Sequence, residues 1–260
     1  MNNVFLDLSL VNGLTLITLG VAIPGLIIIF IARGFVRSRI NKQHERVGRL
    51  LFRVTASLLA LLISLSYANE KIGYNKVVNS LEAEAAIIAS ALLKLGLHRT
   101  EIAQQVREDL IYYVEYTIED DWHKVMTDPY VSKMWGTMLR INIKVRALND
   151  TTTMKSLLKA SIISDIDEIT KTLQVRIYST YFHMPYLTYI LGLGLLIVWC
   201  FFSVYRLDRI SVFFITIYNM YIGVLLYFVI MLGNPLGGPL KIEPAPFKTL
   251  LEMGIQKLPF

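Results

Sequence analysis

Apolar residues gather into four long runs along the chain, Leu14 to Ala32, Leu50 to Ala68, Tyr186 to Tyr205 and Ile210 to Leu232. Each comes close to the roughly 20 residues that a membrane-crossing helix needs. The first run contains Gly20, Pro24 and Gly25. A membrane helix tolerates these when neighbouring helices satisfy the freed backbone groups, and Pro24 predicts a kink. The second run meets no proline and no strong turn signal at its end. It continues as a polar but helically periodic stretch to Leu95, which predicts one long helix from about Leu50 to Leu95 that leaves the membrane. Val77, Leu81, Ala85, Ile88, Leu92 and Leu95 trace its apolar stripe, and Gly96 is placed to end it.

Between Asn69 and Met184 no period-two alternation and no hairpin signal occurs, so the region reads as helices throughout. Thr100 ahead of Glu101 predicts an N-cap, with a helix running to Trp122 through Ile102, Val106, Leu110, Tyr113, Val114 and Thr117. Asp128-Pro129 predicts a second start, with that helix ending near Leu148. After a polar break from Asn149 to Thr153, Leu157, Leu158, Ile162, Ile166, Ile169, Leu173 and Ile177 mark another helix that approaches Pro185. Gly233 to Pro239 holds two prolines and three glycines and enforces turns. A short amphipathic piece follows, Pro246 to Leu258, whose Phe247, Leu250, Leu251 and Ile255 suit either a membrane surface or, the favoured reading, the helical region itself. The fold class is an all-α membrane protein with four transmembrane helices and an extramembrane helical bundle or stalk between the second and third spans. Its divisions are 1–68, with a basic loop at 33–49, then the helical domain 69–184, the last two spans 185–232, and a tail 233–260.

Composition agrees: 54% of residues are hydrophobic and 18% charged, and the mean hydropathy is +0.50. That is too apolar for an ordinary soluble domain and too charged for a wholly membrane-embedded one. The net charge of +6 is matched by the stretch from Arg33 to Arg53 alone, where seven Lys/Arg face only Glu45. No nucleic-acid-binding face is therefore implied. Lys and Arg near span ends stay on the cytoplasmic side. The basic loop and the connection Arg206-Leu207-Asp208-Arg209 belong inside, which places 69–184 outside the cytoplasm, in a protein of the cell inner membrane. The N-terminal run lacks a basic region before it and is followed by Arg33, Arg37 and Arg39, so it reads as an uncleaved anchor. Cys200 is the single cysteine and has no partner for an internal disulfide.

On the second span Arg53, Ser57, Ala60, Ser64, Ala68 and Lys71 recur at steps of three or four and share one face. Small residues at this spacing let membrane helices approach closely. In an oligomer the same face, small and polar with a cation at each end, could line an anion route. Asn219, between Tyr218 and Met220, reads first as an interhelical hydrogen bond. No Asp or Glu falls inside a span, which argues against a transporter coupled through an intramembrane carboxylate. Glu119-Asp120-Asp121-Trp122-His123 offers hard ligands but lacks calcium-loop spacing, and it reads as a solvated helix end. Glu84, near the apolar stripe, calls for a cation such as Arg176. Enzyme signatures are missing: His44-Glu45 has no second His at zinc spacing, and no phosphate loop or nucleophile elbow occurs. Neither a catalytic residue, nor a metal, nor a cofactor is expected.

The layout as a whole resembles the bestrophin-like family of membrane proteins. The resemblance is carried by Gly48, by the Glu84-Ala85 pair within VVNSLEAEAAIIASALL, by Tyr113, Val114 and Asp121-Trp122, by Arg176 and Pro185, and by Asn234-Pro235-Leu236-Gly237. Ala86 and Leu236 stand where that family often has Asn and Phe. The resemblance implies four spans and, by analogy with true bestrophins, a pentamer whose second helices surround an anion pore, with chloride as a permeant ion. Glu84, Trp122, Arg176, Pro235 and Gly237 would then be structural motif residues. True bestrophins keep their helical domain in the cytoplasm, whereas the charges here place 69–184 outside. Two functions follow as expectations. One is a homo-oligomeric, anion-conducting channel lined by the second span, and the other is a non-conducting scaffold or sensor whose helical domain binds a partner.

Overall fold

A computed structural model describes residues 8–36, 41–121, 133–149, 152–179, 185–205 and 207–254. Among these residues every regular element is a helix: α1 (Leu10–Val36), α2 (Lys42–His98), α3 (Glu101–Tyr116), α4 (Lys133–Arg146), α5 (Thr153–Ser179), α6 (Pro185–Phe202), α7 (Arg209–Leu232) and α8 (Ala245–Glu252). The chain divides into two compact units, Met1–Tyr74 with His183–Leu240, and Asn75–Phe182 with Lys241–Phe260. The single 57-residue helix α2 contributes residues to both.

In the first unit α1 packs against α6 and α7. Leu59 and Ile63 of α2 join Ile29, Leu191, Leu195, Val198, Trp199, Phe202, Ile215 and Ile222 in one apolar core. Bulk is absent where helices cross closest. A Cβ on Gly223 would stand 2.7 Å from the Thr18 Cα, and one on Gly25 would stand 2.7 Å from the Trp199 ring. Helix α1 passes through Pro24 without a break. Asp208 caps α7 by accepting from the Ser211 N–H at 3.3 Å, which satisfies one of the donors that a helix start leaves free.

Three helices among the described residues are long and apolar enough to cross a membrane: Leu10–Phe35, Gln43–His98 and Arg209–Leu232. The third apolar run gives a shorter helix than the expected Tyr186 to Tyr205. Pro185–Phe202 spans 18 residues, and the chain then tightens, with Ser203, Val204 and Tyr205 N–H groups bonded three residues back. The Arg33 guanidinium donates to the Tyr205 carbonyl, satisfying an acceptor that the helix end leaves exposed.

In the second unit α3 packs on α4, and α4 on α5. The expected stripe of α2 is buried from Val77 to Leu95, but the helix does not stop at Gly96. His98 is buried and its Nδ1 meets the Thr100 hydroxyl at 3.0 Å, so the chain stays helical through His98. It turns at Arg99, in the left-handed region with φ 49°. Thr100 then caps α3 by accepting from the Ala103 N–H. Helix α3 is α-helical only to Tyr116 and closes with a π-helical turn, Thr117–Asp121. Trp122, His123 and the Asp128-Pro129 start lie outside the described residues. Leu157, expected in the core, is 65% exposed, while Ile162, Ile166, Ile169, Leu173 and Ile177 are buried. The tail turn forms as expected, with the Gly237 N–H on the Asn234 carbonyl and Gly238 at φ 75°. Helix α8 lies within the second unit with Phe247 and Leu250 buried, so the tail packs on the helical region.

Candidate functional site

Helix α2 presents three differently populated sides over its apolar stretch. One side, with Leu59, Ile63 and Ser66, is buried in the first unit. A second carries exposed large apolar side chains: Val54, Leu58, Leu61 and Leu65. The third carries Arg53, Ser57, Ala60, Ser64, Ala68 and Lys71, all of them exposed. Within one chain, then, the small polar face is not what packs α2 against its neighbours. Lys71 lies 4.9 Å over the Tyr74 ring, a cation–π contact that leaves the charge in place. Along the edge of this face Ala60, Ser64 and Tyr67 join Tyr218, Tyr221 and Leu225 of α7 in lining a cleft of about 350 Å³.

Asn219 forms the expected interhelical bond. It accepts at Oδ1 from the Trp199 indole N–H at 2.9 Å and is fully buried. Gly25 is the residue that leaves both side chains room.

In the second unit a different constellation gathers around Glu84. The Glu84 carboxylate and the Arg176 guanidinium approach to 3.5 Å with neither side chain exposed. The Tyr113 hydroxyl donates to the other Glu84 oxygen and accepts from Arg176 at 3.1 Å. Arg176 also donates to the Met134 sulfur at 3.2 Å, and the Phe247 ring lies 5.6 Å from its guanidinium carbon. One side chain each from α2, α3, α4, α5 and α8 therefore meets at a single point. Burial raises the Glu84 carboxyl above the usual carboxylate range, outweighing the attraction of Arg176 and the bond from Tyr113, which both lower it. Burial likewise pushes the Tyr113 phenol well up, and the Glu84 charge adds to it. Such an arrangement holds helices together and offers no open face for a substrate.

Pro235 and Gly237 are buried in the closing turn of the first unit. Among the described residues no three His, Cys, Asp or Glu gather to hold a metal ion.

The model of the bestrophin-like domain matches residues 19–247. The chain belongs to the bestrophin-like family. Among curated proteins no match is found. The match runs from α1 to the start of α8, so this bestrophin-like chain carries both the α2 stripe and the Glu84 cluster inside the family domain. Glu84 and Arg176 were visible in the sequence as a charge on an apolar stripe and a cation that could answer it. Tyr113, Met134 and Phe247 were not, because an aromatic or methionine at core spacing looks the same whether or not it touches a charge. Trp199 was missed for the same reason, although Asn219 had signalled that some partner was required.

Proposed function

We propose that the protein is a homo-oligomeric channel of the cell inner membrane, conducting small anions such as chloride along a route lined by α2. In this reading α1, the apolar part of α2, α6 and α7 are four spans, with α6 completed by its terminal turn. The basic loop 33–49 faces the cytoplasm and residues 69–184 lie outside it. The observation that carries the reading is the division of α2 into sides. Its small polar face is exposed in the protomer beside a separate exposed side of bulky apolar residues. Bulky apolar side chains suit lipid or a neighbouring subunit, whereas Ser57 and Ser64 between Arg53 and Lys71 suit water and an anion. One protomer has too few helices to enclose a pore, so assembly is required, and a pentamer is the analogy that bestrophins offer.

Purified protein reconstituted into planar bilayers should pass anion-selective current, and Ser57→Leu with Ser64→Leu should reduce it severely. A well-assembled particle that passes no current, or an unchanged conductance in that variant, refutes the channel.

The second reading is a membrane scaffold or sensor. It is favoured by exposed apolar side chains on the second unit, Leu93, Leu97, Leu139 and Ile143, which suit a protein partner. Particle mass in mild detergent separates the two: a monomer or simple dimer supports the scaffold, and a ring of four or more supports the channel.

A further inference from the structure

The small polar side of α2 does not begin at Arg53. Stepping back by four and then three residues along the helix reaches Arg49 and Arg46, which lie on the same side, and all three arginines are exposed. Their flanks are apolar. On one side Gly48 faces the chain's own interior, so closely that a Cβ there would stand 2.9 Å from the Val204 side chain. On the other side Val47, Leu51 and Val54 are exposed, and exposed Leu50, four residues after Arg46 and three before Arg53, borders the row. The result is a narrow cationic row about 10 Å long, at 1.5 Å per residue. Among the described residues one acid touches it. Glu45 reaches Arg49 at 3.7 Å, with 49% and 35% of the two side chains exposed, a one-turn surface pair that is weak and easily displaced. Arg33 of α1 is engaged with the Tyr205 carbonyl.

We propose that Arg46, Arg49 and Arg53 form a binding row for soluble polyvalent phosphate anions, and that an anion held there obstructs the route along the same side of α2. The second clause rests on the channel reading above, and the first does not. Guanidinium groups pair with phosphate through parallel charged hydrogen bonds. Three of them in a row can hold successive phosphates of one chain at once, whereas chloride engages one at a time and passes. A soluble anion is favoured over a lipid headgroup by the direction of the row. It shares its side of the helix with Ser57, Ala60 and Ser64, whereas Val47, Leu51 and Val54, the residues suited to lipid, lie on another, and Leu50 alone borders the row.

Calorimetry on the full chain in phosphatidylcholine nanodiscs, with inorganic tripolyphosphate as the probe, tests the row. Binding should be detectable and should weaken as salt is raised. It should fall about tenfold or more in Arg46→Gln/Arg49→Gln and stay unchanged in Lys171→Ala, which removes an exposed cation from α5. Absence of binding overturns the proposal, as does equal loss in both variants. Binding that disappears when the discs contain phosphatidylglycerol also overturns it, because the row then belongs to the bilayer. In planar bilayers, tripolyphosphate should block chloride current from the side of loop 33–49 and not from the other. Binding without block overturns the obstruction alone. Calorimetric binding in a protein that passes no current leaves the row standing and refutes the channel.

Discussion

Arg176 ties the buried centre of the second unit together. Its guanidinium reaches Glu84, Tyr113 and Met134 at once with no access to water. Removing one member of a buried ion pair strands the other charge and costs about 3–5 kcal/mol, whereas replacing the whole pair by apolar groups of similar size can cost little. Arg176→Ala should therefore destabilise the protein strongly in detergent melts, and Glu84→Leu/Arg176→Met should recover most of the loss. The pH dependence follows from the raised Glu84 carboxyl. A group whose pKa is raised on folding stabilises most when protonated, and that contribution fades as pH climbs from the ordinary carboxylate value through the raised one. Melting temperatures measured from mildly acid to neutral pH should thus decline more in the parent than in Glu84→Gln, which cannot ionise. Equal slopes would mean that Glu84 does not contribute.

At the scale of elements, the seam between α1 and α7 is set by what is missing from the side chains. A methyl on Gly223 meets the backbone of Thr18, and a methyl on Gly25 meets Trp199 and Asn219, whereas one on Gly20 meets nothing within 4 Å. Gly223→Ala should cost about 1–3 kcal/mol by overpacking, and Gly20→Ala should be neutral or slightly stabilising because alanine favours helix. Melting of the two single variants in detergent would rank them. The elements themselves were largely legible. Apolar runs and the stripe from Val77 to Leu95 placed the helices, and Thr100 marked a real cap. What escaped were endings decided by distant or local side-chain contacts. Gly96 looked like a stop, but the buried His98 and its contact with Thr100 carry the helix two residues further. The third apolar run looked 20 residues long because Ser203 to Tyr205 carry no proline, glycine or charge to mark a stop, and the turn shows only in their N–H bonds three residues back and in the bond from Arg33.

For the molecule as a whole, the face of α2 that stays uncovered in the protomer is the feature that function has to explain. Its composition was readable from the sequence. Its exposure was not, since a small face can equally seat a neighbouring helix of the same chain. With Cys200 as the only native thiol, Cys200→Ala provides a background for single cysteines. In the assembled protein in membranes, Ser57→Cys, Ala60→Cys and Ser64→Cys should react with a small charged thiol reagent, and Leu58→Cys, Leu61→Cys and Leu65→Cys should resist it. Reactivity without that periodicity would contradict a water-filled route along this side.

The meeting of five helices at Arg176 also bears on how the second unit comes apart. Each of α2, α3, α4, α5 and α8 places one side chain at that point. Withdrawing α2, α3 or α5 leaves a charge or its hydrogen-bonding partner stranded in an apolar interior, whereas α4 and α8 give up only a sulfur and a ring face. Fraying should therefore begin at α8, and α2, α3 and α5 should be released together.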